Sequence, residues 1–154
     1  MANFQGGGFQ LDLPDDIVDA SSYVFVQDDG SDSPPILRVT SQVVEDIPED
    51  IDAYVAQRIQ AERDASSILQ LLEASSNKRD NWLYGIATVA WGDEPSALKE
   101  RRIYLFVDET PARLFNLSIT APTPAFDEGV AYFAGAIRSF LPNDVQKLIP
   151  DTGN

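Results

Sequence analysis

The sequence contains no cysteine and no histidine. The first absence removes disulfides, thiol nucleophiles and thiolate metal sites. The second removes the usual general base and the commonest metal ligand. Catalysis would have to rest on carboxylates, hydroxyls, lysine or tyrosine. Positive charge is scarce as well: 11 basic side chains face 25 acidic ones, a formal charge of −14. Such a surface repels phosphate backbones and anionic lipid headgroups. Nucleic acid is therefore disfavoured as a partner, and a basic, amphipathic or membrane-active polypeptide is favoured. Long hydrophobic runs are missing too, and no stretch approaches the ~20 apolar residues of a membrane span. The first eight residues have neither the basic nor the apolar region of a signal peptide. A cytoplasmic protein is expected.

What is present suits one α+β domain. A chain of 154 residues can bury roughly 70% of its unfolded surface, so its core needs no covalent staples. Gly6, Gly7 and Gly8 predict a flexible leader over residues 1–8. Phe9, Leu11 and Leu13 alternate with polar residues, a strand pattern that Pro14 ends. A turn is expected over 15–22, a strand over 23–26, and a loop over the Asp, Ser, Gly and Pro of 28–35. A third strand covers 36–44, with Leu37, Val39, Ser41 and Val43 on one face. Asp46 and Glu49, with Pro48 between them, predict the capped start of a helix. Ile51, Tyr54, Val55 and Ile59 form its buried stripe, and it ends near Ala65.

Four more strands are expected, over 68–75, 82–91, 101–107 and 114–120. A polar turn over 77–81, a loop over 92–99 and a hairpin connection over 108–113 separate them. Thr123 is placed to cap a last helix, with Pro124 at its first position. Phe126, Val130, Phe133, Ala134, Ile137, Phe140 and Leu141 fall on one face of it, and Pro142 stops it. Residues 9–142 thus form the domain, and 143–154 a loose C-terminal tail. Strands so closely spaced imply a largely antiparallel sheet of about six to seven strands flanked by two main helices.

The chemical motifs read as structural. Acidic neighbours occur at Asp15 and Asp16, Asp28 and Asp29, Glu49 and Asp50, and Asp127 and Glu128. They lack the spacing of a calcium loop and suit solvated loops and helix starts. The glycine triplet follows no strand and precedes no Lys-Ser/Thr, so it is not a phosphate loop. A serine nucleophile would need a base other than histidine, which leaves a Ser-Lys pair. The cationic run from Lys99 to Arg102 could grip an acidic partner, but it reads first as a solvated strand entry paired across the sheet with acids. Trp82, Tyr84 and Trp91 read as core and sheet-face residues. No metal, no cofactor and no turnover are expected.

Two features point to a binding surface. The strand Tyr23, Val24, Phe25, Val26 is apolar on both faces, so one face packs on the core and the other is covered or exposed. The side of the first helix away from its buried stripe carries Ala53, Gln57, Gln60 and Ala61. Small residues and amides allow close helix approach with side-chain hydrogen bonds. An aliphatic strand face beside such a helix face would make a groove for another helix. The competing explanation is that the second helix or a dimer partner covers these residues.

The ordered set Phe9-Gln10-Leu11-Asp12-Leu13-Pro14, then Tyr23-Val24-Phe25, then Asp50-Ile51-Asp52-Ala53-Tyr54 resembles the DcrB-like family. Within that family it is most similar to the Eag chaperones of type VI secretion effectors. The resemblance spans roughly residues 9–142. It implies a Mog1/PsbP-like fold, an antiparallel sheet flanked by helices. It also implies a homodimer that binds the N-terminal transmembrane region of a Rhs-type effector carrying a PAAR domain. Such a chaperone keeps that region soluble until the effector is loaded on the secretion spike. The client-binding positions it implies here are Val24 and Val26 on the strand and Gln57 and Ala61 on the first helix. Two other functions stay open: an adaptor that binds a folded protein partner on the same fold, and a carboxylate-based hydrolase.

Overall fold

The computed structural model describes residues 2–6, 9–13, 22–79, 82–92 and 97–140. Two strands, β1 (Ala2–Gly6) and β2 (Phe9–Leu13), pair antiparallel with Gly6 opposite Phe9. The leader expected over residues 1–8 therefore contains a strand. Two glycines between paired strands are also the composition of a two-residue hairpin loop, and the sequence alone does not separate that from a leader. Pro14 and residues 15–21 of the expected turn lie outside the described residues.

Six strands form the main sheet: β3 (Ser22–Val26), β4 (Ile36–Val44), β5 (Leu69–Arg79), β6 (Trp82–Trp91), β7 (Leu98–Val107) and β8 (Ala112–Pro122). Their order is β3-β4-β8-β7-β6-β5, and every pairing is antiparallel. With two helices the fold is α+β, as the strand spacing implied. β7 shows why both helices are needed. Ile103, Leu105 and Val107 point to one face while Tyr104 and Phe106 point to the other, and all five are buried. A strand apolar on both sides must be covered on both.

The helix α1 (Ile51–Ala65) covers one face at β5 and β6, through Ile51, Val55 and Ile59 against Ala87, Val89 and Phe106. The helix α2 (Phe126–Arg138) covers the opposite face, with Phe126, Val130 and Phe133 against Leu105, Leu117 and Ile119. Each helix seats on a glycine contact. A Cβ at Gly85 of β6 would lie 2.8 Å from Cγ2 of Val55, and one at Gly129 of α2 would lie 2.9 Å from Pro35.

The helix starts differ from expectation. The α1 cap is Asp50, in extended conformation, whose carboxylate accepts from the Ala53 N–H at 3.1 Å. Asp46 and Glu49 lie in the segment before the helix, where Ile47 packs against the α1-side core. Placing Ile47 there delays the first helical turn until Ile51 can face the sheet. Thr123 does not cap α2; its hydroxyl donates to the Ala97 carbonyl at 2.8 Å, and Pro124 sits in a 3₁₀ turn that leads into the helix. Leu141, Pro142 and the tail lie outside the described residues. β5 runs on through Asn77 and Lys78, which the sequence placed in a turn. Polar residues are tolerated there because β5 has no outer neighbour among the described residues.

Candidate functional site

The helices cover the sheet unequally. On the α1 side, strands β8, β4 and β3 carry no helix among the described residues. Strand register fixes what faces outward there. One row runs Arg102, Ser118, Arg38, Val24 across β7, β8, β4 and β3. A flanking row runs Glu100, Thr120, Ile36, Val26, and the other flank begins Tyr104, Asn116, Thr40. The floor is polar in the middle and aliphatic at the β3 edge.

With α1 as a wall, this face forms a groove of about 820 Å³, bordered by Glu62 and Ala65 of the helix and by Asp32 and Pro34 before β4. A narrower extension of about 240 Å³ reaches Arg58 and Asn116. Glu62, Glu100 and Arg102 line both parts, which makes them one continuous feature.

Arg102 organises the floor. Its Nη1 lies 2.7 Å from Oε2 of Glu62 on α1 and donates to the Tyr104 hydroxyl at 3.3 Å. Its Nε donates to Glu100, and its guanidinium lies over the Trp91 ring at 5.5 Å. Glu100 also accepts from the Thr120 hydroxyl at 3.2 Å. Burial alone would lower the arginine's pKa; the Glu100 carboxylate and the Tyr104 hydroxyl more than offset this, and the net shift is upward. The Tyr54 phenol, on the groove side of α1, is pushed up chiefly by burial, against an opposing pull from Arg58. One floor atom is unmatched: Oδ1 of Asn116 is buried and has no hydrogen-bond partner among the described residues.

The cationic run divides by strand alternation. Lys99 and Arg101 lie over the Phe126 ring on the α2 side, where Arg101 also reaches Glu73 at 3.3 Å. Arg102 alone enters the groove. The expected pairing across the sheet holds for Arg101 with Glu73 of β5, whereas Arg102 pairs with Glu100 of its own strand and with Glu62 of α1. Trp82 and Tyr84 are buried in the α2-side core, as expected, and Trp91 is half-buried at the groove.

Val24 and Val26 sit on the groove face of β3, 54% and 55% exposed. Gln57 and Ala61 are exposed on α1. Ala61 is one turn from Arg58 and Ala65, which border the groove, so it lies on the groove-ward shoulder of the helix. Gln57 is one turn further back and turned more toward the outer side. None of the four lines either part of the groove: the valines lie beyond Ile36 and Arg38 on its β3 side, and Ala61 lies beside Arg58 and Ala65 on its α1 side. Of the floor residues, Arg102 was singled out only as part of the cationic run, and Glu62, Glu100 and Asn116 were not singled out from the sequence. The available signal was the alternation Asn116, Ser118, Thr120 in β8, whose other face is apolar; in β7 the opposite face carries Lys99 and Arg101 and hides the pattern.

The expectation that one face of the second strand packs on the core does not hold among the described residues. Tyr23 and Phe25 are 57% and 51% exposed, much as the valines are. The strand is at the sheet edge, beyond the reach of α1 on one face and of α2 on the other. Its α2-side face borders an apolar hollow of about 370 Å³ with Val39, Phe115 and Phe140. Since α2 lies on the opposite face of the sheet, it does not cover Val24, Val26 or the exposed side of α1. No group of three or more acidic side chains among the described residues is placed to hold a metal ion. No helix among them is long and apolar enough to cross a membrane.

No protein-family model and no curated protein matches the chain. Among solved structures the chain is similar to the crystal structure of PA94 from Pseudomonas aeruginosa, a protein of unknown function suggested to be a regulator. The TM-score is 0.65 at 16% identity, over 94% of this chain and 99% of that one. At that identity the likeness establishes the fold alone.

Proposed function

We propose that this protein is a non-catalytic cytoplasmic chaperone, without cofactor. It binds and shields the N-terminal transmembrane helices of a PAAR/Rhs-type type VI secretion effector before loading on the secretion spike, and it works as a homodimer. The observation that supports this reading is the open groove between α1 and the β3 edge. Its dimensions suit a helix. From β8 to β3 is two strand spacings, about 10 Å, close to the diameter of a helix with its side chains. β4 has nine residues and runs roughly 30 Å, the length of a helix that crosses a bilayer. Val24, Val26 and Ile36 offer aliphatic packing at the edge, and Ala61 and Ala65 keep the helix wall low. A membrane helix exposed in water aggregates, and such a groove replaces the neighbour it would have in a bilayer.

The test is co-expression with a tagged two-helix transmembrane segment from such an effector. The expected result is a soluble complex that survives size-exclusion chromatography, with the segment insoluble when expressed alone. A segment that stays insoluble beside abundant folded chaperone would sink the proposal. Capture of the effector's folded toxin domain instead of its membrane segment would favour the adaptor function.

A further inference from the structure

The floor of the groove is more polar than a slot for a purely aliphatic helix needs to be. We propose that it selects an apolar helix bearing one uncharged hydrogen-bond donor, a hydroxyl or a carboxamide, positioned over Asn116 and Glu100. The inference rests on the groove being a helix-binding site and names the chemistry of the helix.

Three observations carry it. First, Oδ1 of Asn116 is a buried acceptor with no donor among the described residues, and it lines the narrow end of the groove beside Arg102. That atom is already out of water, so a leucine above it changes nothing, whereas a donor gains the missing hydrogen bond once the half-buried Asn116 side chain turns toward it. Second, the neighbouring groups are acceptors as well. Glu62 and Glu100 share the Nη1 and Nε donors of Arg102, and the Glu62 side chain remains 40% exposed. An aliphatic cover would strip its water and return no hydrogen bond. A donor on the incoming helix replaces that water.

Third, the groove is already electrically balanced. Arg38, Arg58 and Arg102 border it, and so do Asp32, Glu62 and Glu100. Three positive charges meet three negative ones, although the whole chain carries −14. An incoming lysine or glutamate would leave one charge buried without a counterpart, so the donor is neutral. The position is also fixed. Arg102 is held from β7 by Glu100, from α1 by Glu62 and from above by Trp91, which ties the floor to the helix wall.

The experiment uses dye-labelled synthetic helices of about 20 residues, built of Leu and Ala between Lys-Lys flanks. They are identical except for a central Leu, Ser, Asn, Lys or Glu. Binding to the full-length protein is read by fluorescence anisotropy at fixed salt. The Ser and Asn helices should bind at least ~10-fold tighter than the Leu helix, a difference of about 1.4 kcal/mol, and the Lys and Glu helices should not exceed them. Asn116→Leu should reduce the preference by lowering the Ser and Asn helices toward the Leu helix; thermal unfolding checks that this variant is folded. The wild-type series decides the matter even if it is not. If all five helices bind alike, and Val26→Asp weakens them all, the groove binds helices but the donor selection is overturned. A Lys or Glu helix binding tightest overturns the uncharged donor. If none binds, both this inference and the helix-binding reading fall.

Discussion

Val24 and Val26 are each a little over half exposed on an edge strand, so an aspartate at either place stays hydrated in the free protein. The same carboxylate under a bound apolar helix loses its water; at Val24 it lies opposite Arg38 across β3 and β4, which offsets part of that cost, whereas at Val26 it lies opposite Ile36. Loss of affinity on the order of 3 kcal/mol or more follows at Val26 and a smaller loss at Val24, against a change in stability of about 0.5 kcal/mol, the usual scale for a surface substitution. Val24→Asp and Val26→Asp should therefore unfold near the wild-type temperature; Val26→Asp should fail to hold a transmembrane segment in co-purification, and Val24→Asp should hold it more weakly than wild type. Variants that unfold outright would mean these valines are core. Variants that fold and still retain the segment as wild type does would place the client elsewhere. The doubly apolar character of this strand was legible because it is a sequence-local signal. Arg102 and Asn116 were not. Their meaning depends on which residues of β4, β7 and β8 come to lie side by side, and register between strands distant in sequence leaves no local trace.

At the scale of elements, the best-read segments were those whose pattern repeats internally. β4 and β6 occupy the expected residues, and the buried faces of both helices are the expected ones. Boundaries set by tertiary contact were missed. The start of α1 shifts to Asp50 because Ile47 is taken up by the core, and Thr123 gives its hydroxyl to Ala97 instead of to the helix. One unread feature fixes the groove wall. Gly85 sits in the middle of β6, where glycine normally weakens a strand. The weakness is tolerated because α1 lies directly on it: an added Cβ would approach Val55 to 2.8 Å and Ile51 to 3.2 Å. Gly85→Ala should destabilise the protein by about 1–3 kcal/mol through overpacking, seen as a fall of several degrees in Tm. Val55→Ala opens its own cavity, yet in the double variant it should return part of that loss, because it removes the methyl group that collides. A Gly85→Ala protein as stable as wild type, with no coupling to Val55→Ala, would show that α1 is not seated on this residue.

For the whole molecule, a charge of −14 sets terms for self-association. Two copies repel, so a homodimer has to form where charge is absent and apolar surface is present. The strand β3 meets both conditions. Ser22 to Val26 carry no charged side chain, the strand has one sheet neighbour among the described residues, and its α2-side face joins Val39, Phe115 and Phe140 around an apolar hollow. Burial of that face leaves Val24 and Val26, on the opposite side, available to a client. The proposed homodimer should then tighten as salt rises. Screening weakens the repulsion, with the Debye length falling from about 30 Å at 0.01 M to about 8 Å at 0.15 M, while apolar contact is not weakened. Sedimentation at micromolar concentration should give twice the chain mass at 0.15 M salt and a larger monomer fraction at 0.01 M. Phe25→Glu adds a charge at the centre of the contact and should yield a folded monomer at both, with Val24→Asp as the control that leaves the dimer in place. A wild-type monomer at 0.15 M would remove the dimer, and a dimer that ignores Phe25→Glu would move the interface to another surface. A dimer that loosens with salt would mean ion pairs hold it, and the charge-free edge of β3 would not be the contact.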